Sequence, residues 1–553
     1  MNTTTFFRRT GALLLIAALL LAGCAGNTDR PAANALILRW TYSTGLTDWA
    51  TASAADFNSQ NFKTGSGRII WIEAVAADAG QAVAAMIGGG ELPALWTPAD
   101  PSWVAVLHQQ AGSAVFVENC ISIAESPLVI ALWEPVARAL GWPGRTLGWL
   151  DVASLAADSS AWAYYSGGQW GSTLRMGHTH PGLSDSGTQT LLALVHAAES
   201  ATETVTVADV ENPVVRASVG AFESAVSWFA PTTRQLTITM LDRGISYLNA
   251  AVLYENAVVT QGQRDPRLVA VYPFEGTFMA TYPTCVRANM DAETTGAAET
   301  FLAYLSDVPA QQRALANGLR PVNDAVPLGP PIAPEYGADP AQPQQVFPIP
   351  DAETVFAVQG LWQDQRRNVN LALLLDVSGS MEGTKIEQVR LSAMEFVRQM
   401  GDDDRLTVIV FSDSAGTLVD NQVVGPNREA IIAAVNSIQA GGGTSLYDSI
   451  AFAAQALAQT RRPDEVNAMV VLSDGQDTVS ARFTSADATF TQVVASSGAA
   501  VYTIAYGSDA DQGVLRSIAL ATDGIAYVGD VATIGDIYAE ISAAFGGSLG
   551  IGR

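Results

Sequence analysis

Short apolar runs recur along this chain, and each hands over to a polar turn and then to helical spacing. Leu36 to Trp40, Arg68 to Ile72 and Leu95 to Thr97 read as strands, while Asp48 to Ser59 and Gly80 to Ile87 carry helical periodicity, the second stopped by three glycines. Further on, Ser126 to Leu132 is a strand followed by a helix from Trp133 to Leu140, and Leu268 to Tyr272 is another strand. Strands that alternate with helices predict mostly parallel sheets, because a parallel pair needs a crossover connection and crossovers cover both faces. In the last third, Val369 to Leu375, Leu406 to Phe411, Ala468 to Leu472 and Ala500 to Ala505 are continuous apolar runs of the buried-strand type, with helices predicted over Lys385 to Met400 and Tyr447 to Ala458.

Two breaks interrupt the pattern. Residues 1–23 combine the basic Arg8-Arg9, an apolar core from Gly11 to Leu21 and the small-residue close Leu21-Ala22-Gly23 before Cys24. That is the build of a secretory signal, with an uncleaved N-terminal anchor as the alternative. It resembles a bacterial lipoprotein signal, which implies cleavage before Cys24 and lipidation of its sulfur. Residues 24–34 then form a polar tether. The second break, 326–352, is dense in proline and predicts an extended, semi-rigid linker. It separates a region of 35–325 from one of 353–548.

The 553 residues carry a formal charge of -25, spread along the chain. A polyanion such as nucleic acid would be repelled, and a charge of this sign also keeps a protein soluble in a salty exterior. With Cys24 lipidated, Cys120 and Cys285 remain. An even remainder outside the cytoplasm is consistent with one bridge or with two separate buried thiols.

The region 35–325 resembles the type II periplasmic solute-binding proteins. The likeness rests on the order of Ser126 to Leu132 with its helix, Tyr254-Glu255-Asn256-Ala257-Val258, the strand Leu268 to Tyr272 with Pro273-Phe274-Glu275-Gly276-Thr277, and Gly318-Leu319-Arg320-Pro321. It implies two α/β lobes joined by hinge strands around a ligand cleft, with Cys120 and Cys285 stapling the hinge strands side by side. Ser43 and Thr44, after the first strand, and Ser186 and Gly187, before a helix from Leu191 to Ala198, stand where free backbone N–H groups attract anions. The same residue types also serve as helix caps. Tyr254 and Glu255 join the expected cleft by family position.

Asp376-Val377-Ser378-Gly379-Ser380 follows the apolar run ending at Leu375. Three alternate oxygen-bearing side chains there can converge on one point, and hard oxygens suit Mg, Ca or Mn. Gly441-Gly442-Gly443-Thr444 presents a hydroxyl on a glycine loop, and Ser473-Asp474-Gly475 ends another strand. Together these segments resemble the metal ion-dependent adhesion site of von Willebrand factor A domains. The resemblance implies Asp376, Ser378, Ser380, Thr444 and Asp474 as metal ligands on a Rossmann-like, doubly wound sheet, with one metal position completed by a carboxylate from a partner protein.

The expected function is a lipid-anchored extracytoplasmic binding protein that uses this metal to capture a protein, with a small solute in the N-terminal cleft as a further ligand. The alternative is the substrate-binding component of an importer with a docking module. A metal-dependent hydrolase built on His178, His180 and Asp185 is the weakest reading, since no nucleophile elbow, phosphate loop or paired carboxylates accompany them.

Overall fold

The protein is described by a computed structural model over residues 31–462 and 464–547. The signal segment 1–23, Cys24 and the first part of the tether lie outside the described residues. The strands, in chain order, are β1 (Leu36–Tyr42), β2 (Ile70–Ala76), β3 (Leu95–Thr97), β4 (Ile121–Ser122), β5 (Ser126–Trp133), β6 (Met176–Thr179), β7 (Val226–Ala230), β8 (Ala250–Tyr254), β9 (Leu268–Val271), β10 (Met279–Ala280) and β11 (Pro283–Val286). They are followed by β12 (Val369–Asp376), β13 (Arg405–Phe411), β14 (Ala415–Val423), β15 (Val466–Ser473), β16 (Ala500–Tyr506) and β17 (Ala526–Gly529).

These strands form three sheets. The first lobe is built on the order β2-β1-β3-β11-β4, in which β1 pairs parallel with β2 and β3 and the returning β11 is antiparallel. The second lobe has the order β10-β5-β8-β6-β7, with β9 also against β5. Its β5 is buried along its whole length, and its neighbours run antiparallel to it. The third sheet, β14-β13-β12-β15-β16-β17, is parallel except for the edge strand β14.

The chain crosses between the first two lobes just before β5 and again between β10 and β11, as expected of hinge strands. Cys120 and Cys285 are joined by a disulfide with their Cα atoms 4.3 Å apart. Because β11 pairs with β4 through Pro283–Ser122 and Thr284–Ile121, the bond clips the first-lobe ends of both crossings together.

The proline-rich segment departs from the expectation of an extended spacer. Ile332 and Phe347 are buried, Gly337 O accepts from Ala270 N at 2.8 Å, and Phe347 N donates to Thr277 O at 2.8 Å. The segment is therefore a strap laid along the second lobe. Its prolines exclude helix, while the apolar residues between them supply a reason to dock.

The helix Ala352–Gln365 that follows is amphipathic in two directions. Ala352 and Val355 pack with Trp103, Val106 and Phe116 of the first lobe, while Trp362 lies against His180 and Phe229 of the second, with ring centroids 4.5 and 5.0 Å away. It thus spans both lobes instead of belonging to the C-terminal sheet, as its sequence position suggests. Immediately after it, Arg366 enters the C-terminal module and donates to both oxygens of the buried Asp404 at 3.1 and 3.0 Å. No helix among the described residues is long and apolar enough to cross a membrane.

Candidate functional site

The metal-type site grows out of the central strand of the third sheet. Every residue of β12 is buried, flanked in register by β13 and β15, so its last residue, Asp376, is delivered at the carboxyl edge of a parallel sheet. There Asp376 Oδ1 accepts from Ser378 N at 2.9 Å and Oδ2 from Ser473 Oγ at 2.7 Å. The hydroxyls of Ser378 and Ser380 are 3.0 Å apart, and Ser380 donates to Asp474 Oδ1 at 2.7 Å. Two strand ends and one turn therefore place four of the five predicted ligands in one continuous cluster.

The glycine loop brings in the fifth. Gly379 N donates to Gly442 O at 2.9 Å and Gly441 N to Val377 O at 2.7 Å, which ties this loop to the Asp376 turn. Gly442 has φ +92°, and a Cβ there would meet Asp413 and Ser412 at about 3 Å, so a side chain is excluded by conformation and by space. Beyond it, a Cβ placed on Gly475 would lie 3.7 Å from Thr444 Oγ1 and 3.9 Å from Ser380 Oγ. The absence of a side chain at Gly475 leaves these hydroxyls on a shared face.

The electrostatics favour a cation. Asp376 and Asp474 are fully buried. Burial holds the Asp376 carboxyl above its ordinary range, and the charge of Asp474 adds to this. Lys385, at the first turn of the helix Thr384–Gln399, donates its ammonium to Asp474 Oδ2. It is one of only two lysines in the sequence. Two carboxylates and three hydroxyls form a hard-oxygen set of low total charge, which fits Mg, Ca or Mn. Sequence reasoning missed Lys385 and Ser473. The rarity of lysine was the available signal for the first, and its direct attachment to Asp474 for the second.

The predicted cleft groups do not bond one another; their polar side chains are each engaged by other residues of the chain. Thr44 donates to Asp78 Oδ1 from its N and its Oγ1, both at 2.7 Å, and Ser43 Oγ reaches the same oxygen at 3.3 Å. Ser186 Oγ lies 2.8 Å from Thr179 Oγ1 and 3.0 Å from Thr233 Oγ1. Gly187 lies inside the helix Asp185–Glu199 rather than before a helix starting at Leu191. A Cβ there would approach Thr179 O to 2.2 Å, so the glycine serves helix-on-strand packing. Tyr254 donates to Gln189 Oε1 at 3.0 Å. Glu255 takes two hydrogen bonds from Arg320, at 2.9 and 2.8 Å, and another from Tyr272. Asp78, Asp100, Gln189 and Thr233 were not singled out from sequence, since an acid or hydroxyl at a strand-to-helix junction looks like an ordinary cap.

The histidines do not converge. His178 Nε2 is 2.9 Å from Glu223 Oε1 and its Nδ1 is 2.8 Å from Thr179 O. His180 lies beyond the end of β6, accepts from Gly182 N and stacks edge-on against Trp362, so strand alternation does not align the two rings. Asp185 instead accepts from Ala79 N at 3.2 Å and Ala99 N at 2.9 Å. Among the described residues no group of three His, Cys, Asp or Glu side chains is placed to hold a metal.

Two lobes joined by hinge strands, followed by a doubly wound module with oxygen-bearing side chains at its carboxyl edge, make up a two-part α/β chain. Residues 38–320, just over half the chain, match the family model for bacterial extracellular solute-binding proteins, and the chain belongs to that family. Residues 370–540 match the von Willebrand factor type A domain. The chain is 36% identical over 114 residues to the uncharacterized protein sll0103 of Synechocystis sp., spanning 21% of this chain and 27% of that protein. It thus covers about a quarter of that relative's length. Among solved structures, a periplasmic thiamin binding protein superposes with TM-score 0.45 at 10% identity, covering 61% of this chain and 98% of the other. A von Willebrand factor type A protein from Catenulispora acidiphila gives TM-score 0.29 at 22% identity, covering 32% and 42%. Both domain types are in the main binding folds, and the solute-binding family is extracytoplasmic.

Proposed function

We propose that this is a lipid-anchored extracytoplasmic adhesion protein, in which a divalent cation held by Asp376, Ser378, Ser380, Thr444 and Asp474 captures an acidic protein partner. The observation that carries the reading is the hydrogen-bonded cluster of Asp376, Ser378, Ser380 and Asp474 at the carboxyl edge of the third sheet, with the Thr444 hydroxyl beside it. The cation, when bound, supplies a Lewis-acidic position that a partner carboxylate completes, and Mg is the first candidate, with Ca or Mn as alternatives. The protein's own residues orient that position. Ser473 fixes the Asp376 carboxylate, and Lys385 offsets the charge of Asp474. No general base stands in the cluster, which favours adhesion over hydrolysis. The N-terminal module then serves as the body between the Cys24 anchor and the adhesive face, and the engagement of its cleft groups by other residues of the chain favours this role over delivery of solute to an importer.

The test is affinity capture from envelope extracts, run with Mg, with chelator and with Asp376→Ala. Partners retained only with Mg and the intact site support the reading. The same partners in all three samples would overturn it.

A further inference from the structure

Asp78 sits at the junction of β2 and the helix Ala79–Ile87, where an acid normally caps its own helix. It makes no such cap bond. Its carboxylate instead turns across the interface. Oδ1 takes the three first-lobe hydrogen bonds from Ser43 and Thr44, and Oδ2 accepts from Ser184 Oγ at 2.6 Å, Thr233 N at 2.9 Å and Thr233 Oγ1 at 3.3 Å, all in the second lobe. Two of these donors are backbone N–H groups at helical N-termini, where the peptide dipoles favour negative charge. The exchange is reciprocal, because Asp185 of the second lobe takes the N–H of Ala79 at the start of the helix that Asp78 leaves uncapped.

We infer that Asp78 is an internal ligand: its carboxylate fills an anion cradle shared by the two lobes, so that they close on a residue of this chain in place of an anionic solute. Six donors saturate what a carboxylate can accept. A free oxyanion would have to displace the Asp78 carboxylate from all six of these donors at once. The fully buried Tyr282 hydroxyl, which has no hydrogen-bond partner among the described residues, lies beside Gly45, the residue after Thr44. It lies 3.1 Å from where a Cβ of Gly45 would be, close enough for the charges of Asp78 and Asp185 to act on it. The cradle thus has a donor to spare, as expected of a site shaped for a somewhat larger anion such as a tetrahedral oxyanion or a small carboxylate. The helix Ala352–Gln365, seated on both lobes, is consistent with closure that does not await a solute.

The experiment uses the full chain in chelator, which keeps the metal-type site silent and makes the outcome independent of the adhesion reading. Thermal unfolding is followed for wild type and Asp78→Ala, with and without acetate or sulfate at about 50 mM and at constant ionic strength. Wild type is expected to ignore both anions. Asp78→Ala is expected to melt several degrees lower and to recover at least half of the loss with either anion. A variant that melts like wild type, or that gains nothing from either anion, overturns the inference. If Asp78→Ala does not fold, Asp78→Asn, which keeps the shape and removes the charge, is read in the same way. Saturable calorimetric binding of acetate, sulfate or phosphate by the wild-type protein overturns the inference by itself.

Discussion

At the scale of single residues, the charge balance of the metal-type cluster decides what substitutions will do. Two buried carboxylates face one ammonium, so the site as it stands is short of positive charge. A cation that binds the folded form alone stabilises it by RT ln(1 + [L]/Kd), about 2.7 kcal/mol at a hundredfold excess over Kd. Titrating Mg into the full chain should therefore raise Tm, and Asp376→Asn, which preserves shape and the bond to Ser378 N, should abolish that rise while the protein stays folded. An equal rise in both proteins would assign the cation elsewhere. Lys385 competes electrostatically for Asp474, and Lys385→Met should tighten Mg binding about tenfold, or ~1.4 kcal/mol. Weaker binding in calorimetry would instead make the lysine a support that orients Asp474. The five candidate ligands were legible in sequence because four lie in short motifs at strand ends and the fifth, Thr444, closes a run of glycines. Asp78 and Lys385 were not, since what they touch comes from segments far away in the chain and only the fold brings those segments together.

At the scale of elements, continuous apolar runs gave the buried strands their length and place, and β5, β12 and β15 agree with the sequence within a residue or two. The edge strands β14 and β17 escaped because Ala415–Val423 is largely polar and Ala526–Gly529 is only four residues long, too short a run to read as a strand. The helix start at Asp185 was missed because Gly187 reads as a loop residue, whereas here its missing side chain admits the backbone of β6. The helix Ala352–Gln365 falls at the start of the region 353–548 by sequence position but packs on the two lobes, since position along the chain does not show what covers a helix face. Trp362 is the anchor of that face, buried between His180 and Phe229. Trp362→Ala should cost about 3–5 kcal/mol, the usual range for emptying an aromatic core position. If the helix holds the modules together, the variant should show two separated calorimetric transitions and faster proteolytic cutting between 321 and 352. A single transition shifted downward would mean that the tryptophan serves the second lobe alone.

At the scale of the whole molecule, the question is what keeps the two modules in one arrangement. The ion pairs between them are weak: Arg175 reaches Asp523 at 3.3 Å with both side chains roughly half open to solvent, and Arg243 reaches the same carboxylate only at 3.8 Å. Pairs of that kind contribute about 0–1 kcal/mol each and are screened by salt. The buried contact where the helix Ala352–Gln365 hands over to the C-terminal module, around His180, outweighs them. Its ring stacks on Trp362, and burial, with the Arg366 guanidinium and His178 adding, pushes its pKa down to about 3 from 6.5, while the nearby Gly547 backbone acts in the opposite sense. A base whose folded pKa is depressed is neutral in the fold and protonated in the unfolded chain below pH 6.5. Its contribution is therefore fully present above that pH and is lost progressively as the pH falls toward 3. Between pH 6.5 and 5 this amounts to about 2 kcal/mol. Asp185, held well above the carboxylate range chiefly by burial and then by Asp100 and Asp78, works in the opposite direction, since its contribution fades as the pH rises. The raw pH profile of the protein mixes the two, and only a difference isolates the histidine. His180→Asn retains an acceptor for Gly182 N and removes the titration, so the stability difference between wild type and variant should shrink by about 2 kcal/mol from pH 6.5 to 5, read from denaturant unfolding at each pH. Parallel profiles for the two proteins would mean that His180 is protonated without penalty, and that the junction between the modules is wetter than its geometry shows.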